Sequence, residues 1–381
     1  MGGNIVKRVI GIYCGGYNSL SVWDDEIVRN GGAGGSETWA VEIASEFQRR
    51  GFHVIVFGKP PCWHFAADGV EYVPVENFEW RCEYQHFDYF IFSRTVLPLT
   101  TKLNCSNVYL MAHEYMIWGA QDFSDLKMDR VCKISTLSDY HTKEFLSAFN
   151  GLTKDRVFRS FNGINFELYE KNKGKTKENS MVWSSCRERG LDFLLERVLP
   201  LIRREVPDFK VKLCGYYDNF SEFEGREGVE ILGKLGKEKL AEEQSKSKIW
   251  VFPNTGIVST QPSTIYLHET FCITAVENAT AGNAIVCFPT GGLTSTLEGY
   301  SGFIGKNFVE DFYLNTGDYF DIINPNNFDA AAKIMAMQSI KILKDDTLRF
   351  QLSDEVNYIC KKYTWKNAVN CWLKEWGLLY E

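Results

Sequence analysis

Two glutamates, Glu269 and Glu277, stand in the stretch LHETFCITAVENATAGNAIVCFPTGG, residues 267–292, with seven residues between them. Eight positions at about 100° each turn Glu277 roughly 80° away from Glu269, so the pair does not form one helical stripe. The pattern instead places Glu269 in a loop entering a helix. Thr270, Phe271, Cys272 and Ile273 then form an exposed first turn, and Glu277 lies deeper in the helix. An open helix N-terminus carries unpaired N–H groups and the positive end of the dipole, which suits an anion such as a phosphate. A carboxylate on either side can accept hydrogen bonds from sugar hydroxyls. The same residues also read as a buried amphipathic helix with two incidental acids.

Other residues capable of chemistry fall at the ends of strand-like runs. His113, in VYLMAHEY, follows a strand where an α/β sheet delivers side chains to its ligand, although a lone histidine is also a common structural residue. Arg187 and Arg189, in SSCRERGLDF, follow another strand and precede a helix. Two guanidinium groups there can bracket a phosphate, or simply form a solvated charged turn around Glu188. Gly31-Gly32-Ala33-Gly34-Gly35-Ser36 precedes a helix that Ser36 can cap. Its glycines fail the GxGxxG register, so a dinucleotide fingerprint is unsupported. Small residues at this point let backbone N–H groups approach a diphosphate or sugar, the alternative being a flexible surface loop. Neither His113-Glu114 nor His268-Glu269 completes HExxH. Gly174-Lys175-Thr176 lacks the first glycine of a P-loop, and no DxD or GxSxG occurs.

The elements that must position these residues alternate. Arg8–Cys14 reads as a strand, followed by a helix with Trp39, Ala40, Ile43, Ala44 and Phe47 at helical spacing and a stop at Gly51. A strand follows at His53–Phe57. This is a βαβ unit, and it implies a parallel sheet. Further strands are expected at 88–92, 107–111, 131–137 and 157–161. The polar, lysine-rich segment 169–180 reads as an exposed linker. The pattern then restarts, with strands at 181–185, 209–214, 229–232, 248–252 and 284–288 and helices at 191–205 and 237–246. Helical patterns over 328–342, 347–362 and 365–376 end the chain. The expected organisation is an N-terminal domain over 1–168, a linker over 169–180 and a C-terminal domain over 181–363. A terminal helix, 364–381, carries an aromatic face that suggests packing on the first domain.

A chain of 381 residues suits two domains of ordinary size. A net charge of −7 argues against nucleic acid and against a polybasic membrane surface, and residues 1–165, with 16 Lys/Arg against 19 Asp/Glu, hide no basic half. Eleven scattered cysteines without CxxC fit reduced thiols better than a disulfide frame or zinc site. With no secretory pattern and no apolar run of membrane-spanning length, a cytoplasmic location is expected, and the Asn104-Cys-Ser106 and Asn278-Ala-Thr280 sequons carry little meaning.

Together these motifs resemble the GT-B glycosyltransferases, specifically the retaining enzymes of family four (glycosyl transferases group 1). The resemblance spans nearly the whole chain. GGAGGSE is similar to their N-terminal glycine loop. ISTLSDYHTKEF with FNGINFELYE resembles the segment leading to their NGID motif. SSCRERGLDFLLERVLPLIRREVPDFKVKLCG resembles the opening of their donor domain, and HETFCITAVENATAGNAIVCFPTGGL their E-x7-E region. The resemblance implies an α/β fold of two Rossmann-like doubly wound domains facing a central cleft. It implies a hexosyl- or glycosyltransferase that moves a sugar from a nucleotide-diphosphate donor to a glycan or other hydroxyl acceptor. Transfer would proceed by same-face substitution, without metal or other cofactor. Glu277 would bind the ribose, and Glu269 would lie by the donor sugar beside the N–H groups of Phe271 and Cys272. Arg187 and Arg189 would neutralise the diphosphate, Gly34 or Gly35 would let the backbone approach it, and His113 would contact the sugar near its anomeric carbon.

The chain departs from the family in three places. Its two basic residues are only two apart, Cys272 stands where glycine is common, and the loop 253–268 before Glu269 is long. Acceptor recognition is expected from 14–30 and 60–81. The alternatives are a catalytically silent sugar-nucleotide-binding subunit of a transferase complex, or a GT-B nucleotide-sugar epimerase.

Overall fold

The computed structural model describes residues 7–15, 22–215, 220–254, 269–304 and 328–379. The chain divides into two compact units, one of Met1–Gly163 with Tyr363–Glu381 and the other of Ile164–Lys362. From residue 255 onward, the long loop before Glu269 lies outside the described residues.

The first unit is built on one sheet of eight strands. In chain order they are β1 (Val9–Tyr13), β2 (His53–Gly58), β3 (His64–Phe65), β4 (Glu71–Pro74), β5 (Tyr89–Ser93), β6 (Val108–Met111), β7 (Lys133–Thr136) and β8 (Val157–Arg159). They lie in the order β3-β4-β2-β1-β5-β6-β7-β8, parallel except for the β3–β4 pair. VIGIY, VIVF, YFIF and VYLM are nearly continuous apolar runs because helices cover both faces of a parallel sheet. The strand order reverses at β1, between β2 and β5. The carboxyl ends of strands at such a reversal are where ligands of open α/β sheets bind.

β3, β4 and the helix Phe78–Tyr84 occupy a region that reads as loop in the sequence. β3 is too short to show a two-residue period, and the helix is too short to show a 3.6-residue one.

Helix Trp365–Glu375 completes the first unit. Thr364 caps it by accepting from the Asn367 N–H. Trp376 stacks on Phe47 at 5.1 Å and on Tyr89 at 4.0 Å, and the fully buried Trp372 meets Trp39 at 6.3 Å. Arg50 donates to Asn370 at 2.8 Å, and Lys133 pairs with Glu375 at 2.8 Å. Full burial of a large apolar side chain contributes about 1.5–3 kcal/mol, so the tryptophans rather than these partly exposed polar pairs hold the helix.

In the second unit, β9 (Ser180–Trp183), β10 (Lys210–Leu213) and β11 (Val229–Ile231) form one parallel ladder. β12 (Ile249–Phe252) and β13 (Ala284–Cys287) form another. A parallel bridge between Glu178 and Ser247, just ahead of β9 and β12, joins the two. The resulting order is β11-β10-β9-β12-β13, which reverses between β9 and β12 and creates a second switch point.

Two expectations need correcting. Segment 169–180 belongs to the second unit rather than to a free linker. Tyr169 is buried and donates its hydroxyl to Gln244 at 2.8 Å. Lys177 donates to the Ala281 carbonyl at 2.7 Å and to Asn283 at 2.8 Å, while the Glu178 N–H bonds to the Lys246 carbonyl. Its polar composition marks an exposed surface, but backbone bonds and two anchored side chains fix its path. Ser36, expected as a cap, lies inside helix Gly35–Arg49, whose N-cap is Gly34. Among the described residues, no helix is long and apolar enough to cross a membrane.

Candidate active site

In the second unit, Arg187, Arg189 and Glu269 lie where the turn after β9 meets the start of helix Ile273–Thr280. Beyond β9, Ser185, Cys186, Arg187, Glu188 and Arg189 lead to Gly190, whose φ of +105° turns the chain into the next helix. The Trp183 indole N–H donates to the Ser185 carbonyl at 2.8 Å, and Ser185 Oγ lies 3.3 Å from Thr274 Oγ1. This turn is therefore seated on the first turn of helix Ile273–Thr280.

Arg189 Nε stands 3.4 Å from Glu269 Oε1, and both side chains are largely buried. Arg187 takes another course. Its guanidinium grips both carboxylate oxygens of Asp192 at 2.9–3.2 Å, bonds to Glu222, and lies over the Phe223 ring at 5.2 Å. Of the two arginines, the structure brings Arg189 to Glu269 and commits Arg187 to Asp192 and Glu222.

Thr270, Phe271 and Cys272 precede the helix rather than forming its first turn, which starts at Ile273. Phe271 and Cys272 are buried rather than exposed. Cys272 sits at φ +75°, in the left-handed region that glycine enters at no steric cost. This explains why glycine would suit the position, where the chain instead carries a buried thiol whose Sγ lies 3.4 Å from Thr274 Oγ1. Burial and the nearby Glu269 push that thiol well above the usual cysteine range. The Gly291-Gly292 turn closes against the same segment, with the Gly292 N–H donating to the Glu269 carbonyl. A Cβ at Gly292 would lie 2.4 Å from the Thr270 backbone, so no larger residue allows this approach. Thr296 Oγ1 donates to the Phe271 carbonyl at 2.6 Å and completes the frame around Glu269.

Glu277 is buried one turn into the helix, and its carboxylate meets Lys237 Nζ at 3.2 Å. Lys237 opens helix Lys237–Lys246 and went unnoticed as a site residue. The helix itself is legible, but nothing local ties its first lysine to a glutamate forty positions on.

In the first unit, Gly34 and Gly35 open helix Gly35–Arg49 at the carboxyl side of β1. Cys14, just after β1, directs its thiol at the Ser36 carbonyl at 3.6 Å, and burial raises that thiol to about 12. Ser36 donates to Glu37 at 3.0 Å and accepts from Arg94 at 3.1 Å. Arg94 directly follows β5 and holds φ +69°. Its other nitrogen donates to Glu114, the residue after His113. The Arg94 guanidinium thus ties the glycine-loop helix to the β6 turn.

His113 packs edge-on against Trp39 at 5.2 Å. Burial, and then the charges of Arg94 and His141, push its imidazole well below the usual histidine range. His141, fully buried, braces the same turn. The Leu137 N–H donates to its Nδ1, which leaves Nε2–H to donate to the Glu114 carbonyl at 2.9 Å. Burial lowers His141 to about 4. Arg94 and His141 were both missed in the sequence reading. Arg94's place at the carboxyl end of a strand, the signal that singled out His113, would have marked it.

This architecture is that of the GT-B class. Residues 180–314 match the family model described as Glycosyl transferases group 1, so most of the second unit is similar to that family. Similar solved structures include sucrose-phosphate synthase from Thermosynechococcus elongatus, at 14% identity over 98% of this chain and 99% of that one, with a TM-score of 0.68. WaaG, a glycosyltransferase involved in lipopolysaccharide biosynthesis, matches at 14% identity over 96% and 99%, with a TM-score of 0.60. HepE from Anabaena, solved in complex with UDP, matches at 12% identity over 98% and 100%, also with a TM-score of 0.60. No curated protein matches the chain by sequence.

Proposed function

We propose that this chain is a glycosyltransferase that moves a sugar from a nucleotide-diphosphate donor to a hydroxyl acceptor with retention of anomeric configuration. The observation that carries the reading is the placing of Arg189 against Glu269 at the mouth of helix Ile273–Thr280, with Glu277 buried behind it. Cleaving a sugar–phosphate bond builds positive charge on the sugar ring and negative charge on the departing diphosphate. Stabilising that transition state calls for cationic and N–H donors already in place on the phosphate side. Arg189 and the first N–H groups of the helix fit this role without a metal. Arg187 supports the turn through Asp192 and Glu222. Glu269 accepts from sugar hydroxyls, Glu277 with Lys237 receives the ribose, and neutral His113 contacts the transferred sugar. No side chain is assigned as a covalent nucleophile. The leaving phosphate itself accepts the acceptor's proton on the same face.

The test is turnover of UDP-, GDP- and ADP-sugars by the purified chain, with the released sugar's configuration read by NMR. Uridine sugars come first, because a structural neighbour was solved with UDP. Glu269→Gln and Arg189→Ala are expected to lose at least a hundredfold in turnover while keeping their fold. Near-normal turnover by both variants refutes the assignment.

A further inference from the structure

The outer edge of the first unit's sheet carries an aromatic ladder that the transfer chemistry leaves unused. Trp63, Trp80 and Tyr84 are 39%, 53% and 72% exposed. Their rings follow one another, Trp63 to Trp80 at 6.0 Å and 70°, then Trp80 to Tyr84 at 5.9 Å. Trp80 and Tyr84 share a face of helix Phe78–Tyr84 by their four-residue spacing. Trp63 precedes β3, which is three strands out from β1.

The platform is rigid at its inner end. The Trp63 indole N–H donates to Glu71 at 2.9 Å. Glu71 is buried and also engages Arg81 at 3.2 Å and His53 at 3.3 Å, while the Arg81 guanidinium lies 5.6 Å from the Trp63 ring centre. A fixed, partly exposed indole loses little freedom when something stacks on it.

Exposed aromatic surface of this kind is a candidate binding site, and three observations select the occupant. The first is size. With an aromatic side chain presenting on the order of 200 Å², the exposed fractions offer roughly 300 Å², well under the ~800 Å² that one side of a standard protein interface buries. The second is charge. Glu76, Glu79 and Glu83 are exposed around the ladder, and Arg81 is taken up by Glu71. This acidic rim repels nucleic acid and anionic bilayers. The third is ring geometry. Two indoles crossed at 70° make a corner in which the C–H face of a pyranose lies on one π face while its hydroxyls reach the rim carboxylates.

We propose that Trp63, Trp80 and Tyr84 form a platform that binds a neutral oligosaccharide, gripping an acceptor chain by sugars other than the one that receives the transfer. The acceptor role rests on the glycosyl-transfer reading, whereas the binding itself does not.

Calorimetry of the full chain with maltohexaose, chitohexaose and xylohexaose tests the platform, alongside co-sedimentation with neutral and anionic phospholipid vesicles. Binding of at least one hexasaccharide is expected, weakened tenfold or more in Trp80→Ala and in Tyr84→Ala and largely kept in Trp80→Tyr. Both alanine variants alter exposed positions, and circular dichroism verifies their fold. Donor hydrolysis is expected to be unchanged in both. Failure to bind any of the three glycans overturns the proposal. So does glycan binding that survives the Trp80→Ala/Tyr84→Ala double variant, and so does vesicle binding by the same residues in place of glycan binding. Loss of donor turnover from the wild-type chain with glycan binding intact would defeat only the transferase reading.

Discussion

Replacing Arg94 separates a backbone effect from a site effect. At φ +69° an L-residue carries left-handed strain of roughly 1–2 kcal/mol, and Arg94 holds this conformation immediately after β5. Arg94→Ala and Arg94→Gly delete the same guanidinium, hence the same bonds to Ser36 and Glu114. They differ only at the backbone. Alanine keeps the strain, whereas glycine relieves it at a cost of about 0.5–1 kcal/mol in unfolded-chain freedom. Arg94→Gly is therefore expected to be about 1 kcal/mol more stable than Arg94→Ala, or roughly 2–4 °C in melting temperature for a unit of this size.

Activity should not follow stability. Both variants release the tie between the glycine-loop helix and the turn that carries His113, and misplacing a contacting group by about 1 Å can cost on the order of a hundredfold. Equal losses of tenfold or more in kcat/KM are expected, with Arg94→Lys intermediate because an ammonium keeps the charge but not the fork. The assays are differential scanning fluorimetry and donor turnover on all three variants. Equal melting temperatures for the alanine and glycine variants would refute the strain argument. Wild-type turnover in both would refute the positioning role.

Two further predictions concern buried charge. Lys237→Met strips the counter-ion from Glu277. Breaking a fully buried pair costs about 3–5 kcal/mol, and because Lys237 is about a quarter exposed, an expectation of about 1–2 kcal/mol is appropriate. Adding Glu277→Gln should recover most of it, so strictly additive urea midpoints would contradict the pairing. His141, at about 4 when folded against an ordinary 6.5, takes up a proton on unfolding between those values. Its contribution to stability is complete above pH 6.5 and is lost as pH falls toward 4. From pH 7 to 5 the loss is about 2 kcal/mol at 1.36 kcal/mol per unit. His141→Gln should flatten this part of the urea-stability profile, and an unchanged slope would remove His141 as its source.

How much of this was legible in the chain follows from the range of the interactions concerned. Periodicity and capping act within a few residues, so the βαβ alternation, the restart near residue 180 and the loop-then-helix setting of Glu269 and Glu277 could be read directly. The edge formed by β3 with β4 could not, because β3 spans two residues and carries no period of its own. Nor could the polar look of 169–180 reveal that Tyr169 and Lys177 anchor it to Gln244, Ala281 and Asn283.

Residue type and spacing determined which side chains were available for the proposed chemistry: the two glutamates, the two arginines, the glycine loop and His113. Only the tertiary structure decided their employment. Arg187 and Arg189 are two positions apart and chemically alike. Yet one is drawn to Asp192 and Glu222 and the other to Glu269, because a single turn after β9 points them in different directions. Lys237 reaches Glu277 and Arg94 reaches Ser36 across forty and fifty-eight positions, contacts that no local pattern encodes. Cys272 shows the same division. The sequence marked it as standing where glycine is common, and the fold supplied the reason, a left-handed φ between the closing Gly291-Gly292 turn and the helix it opens.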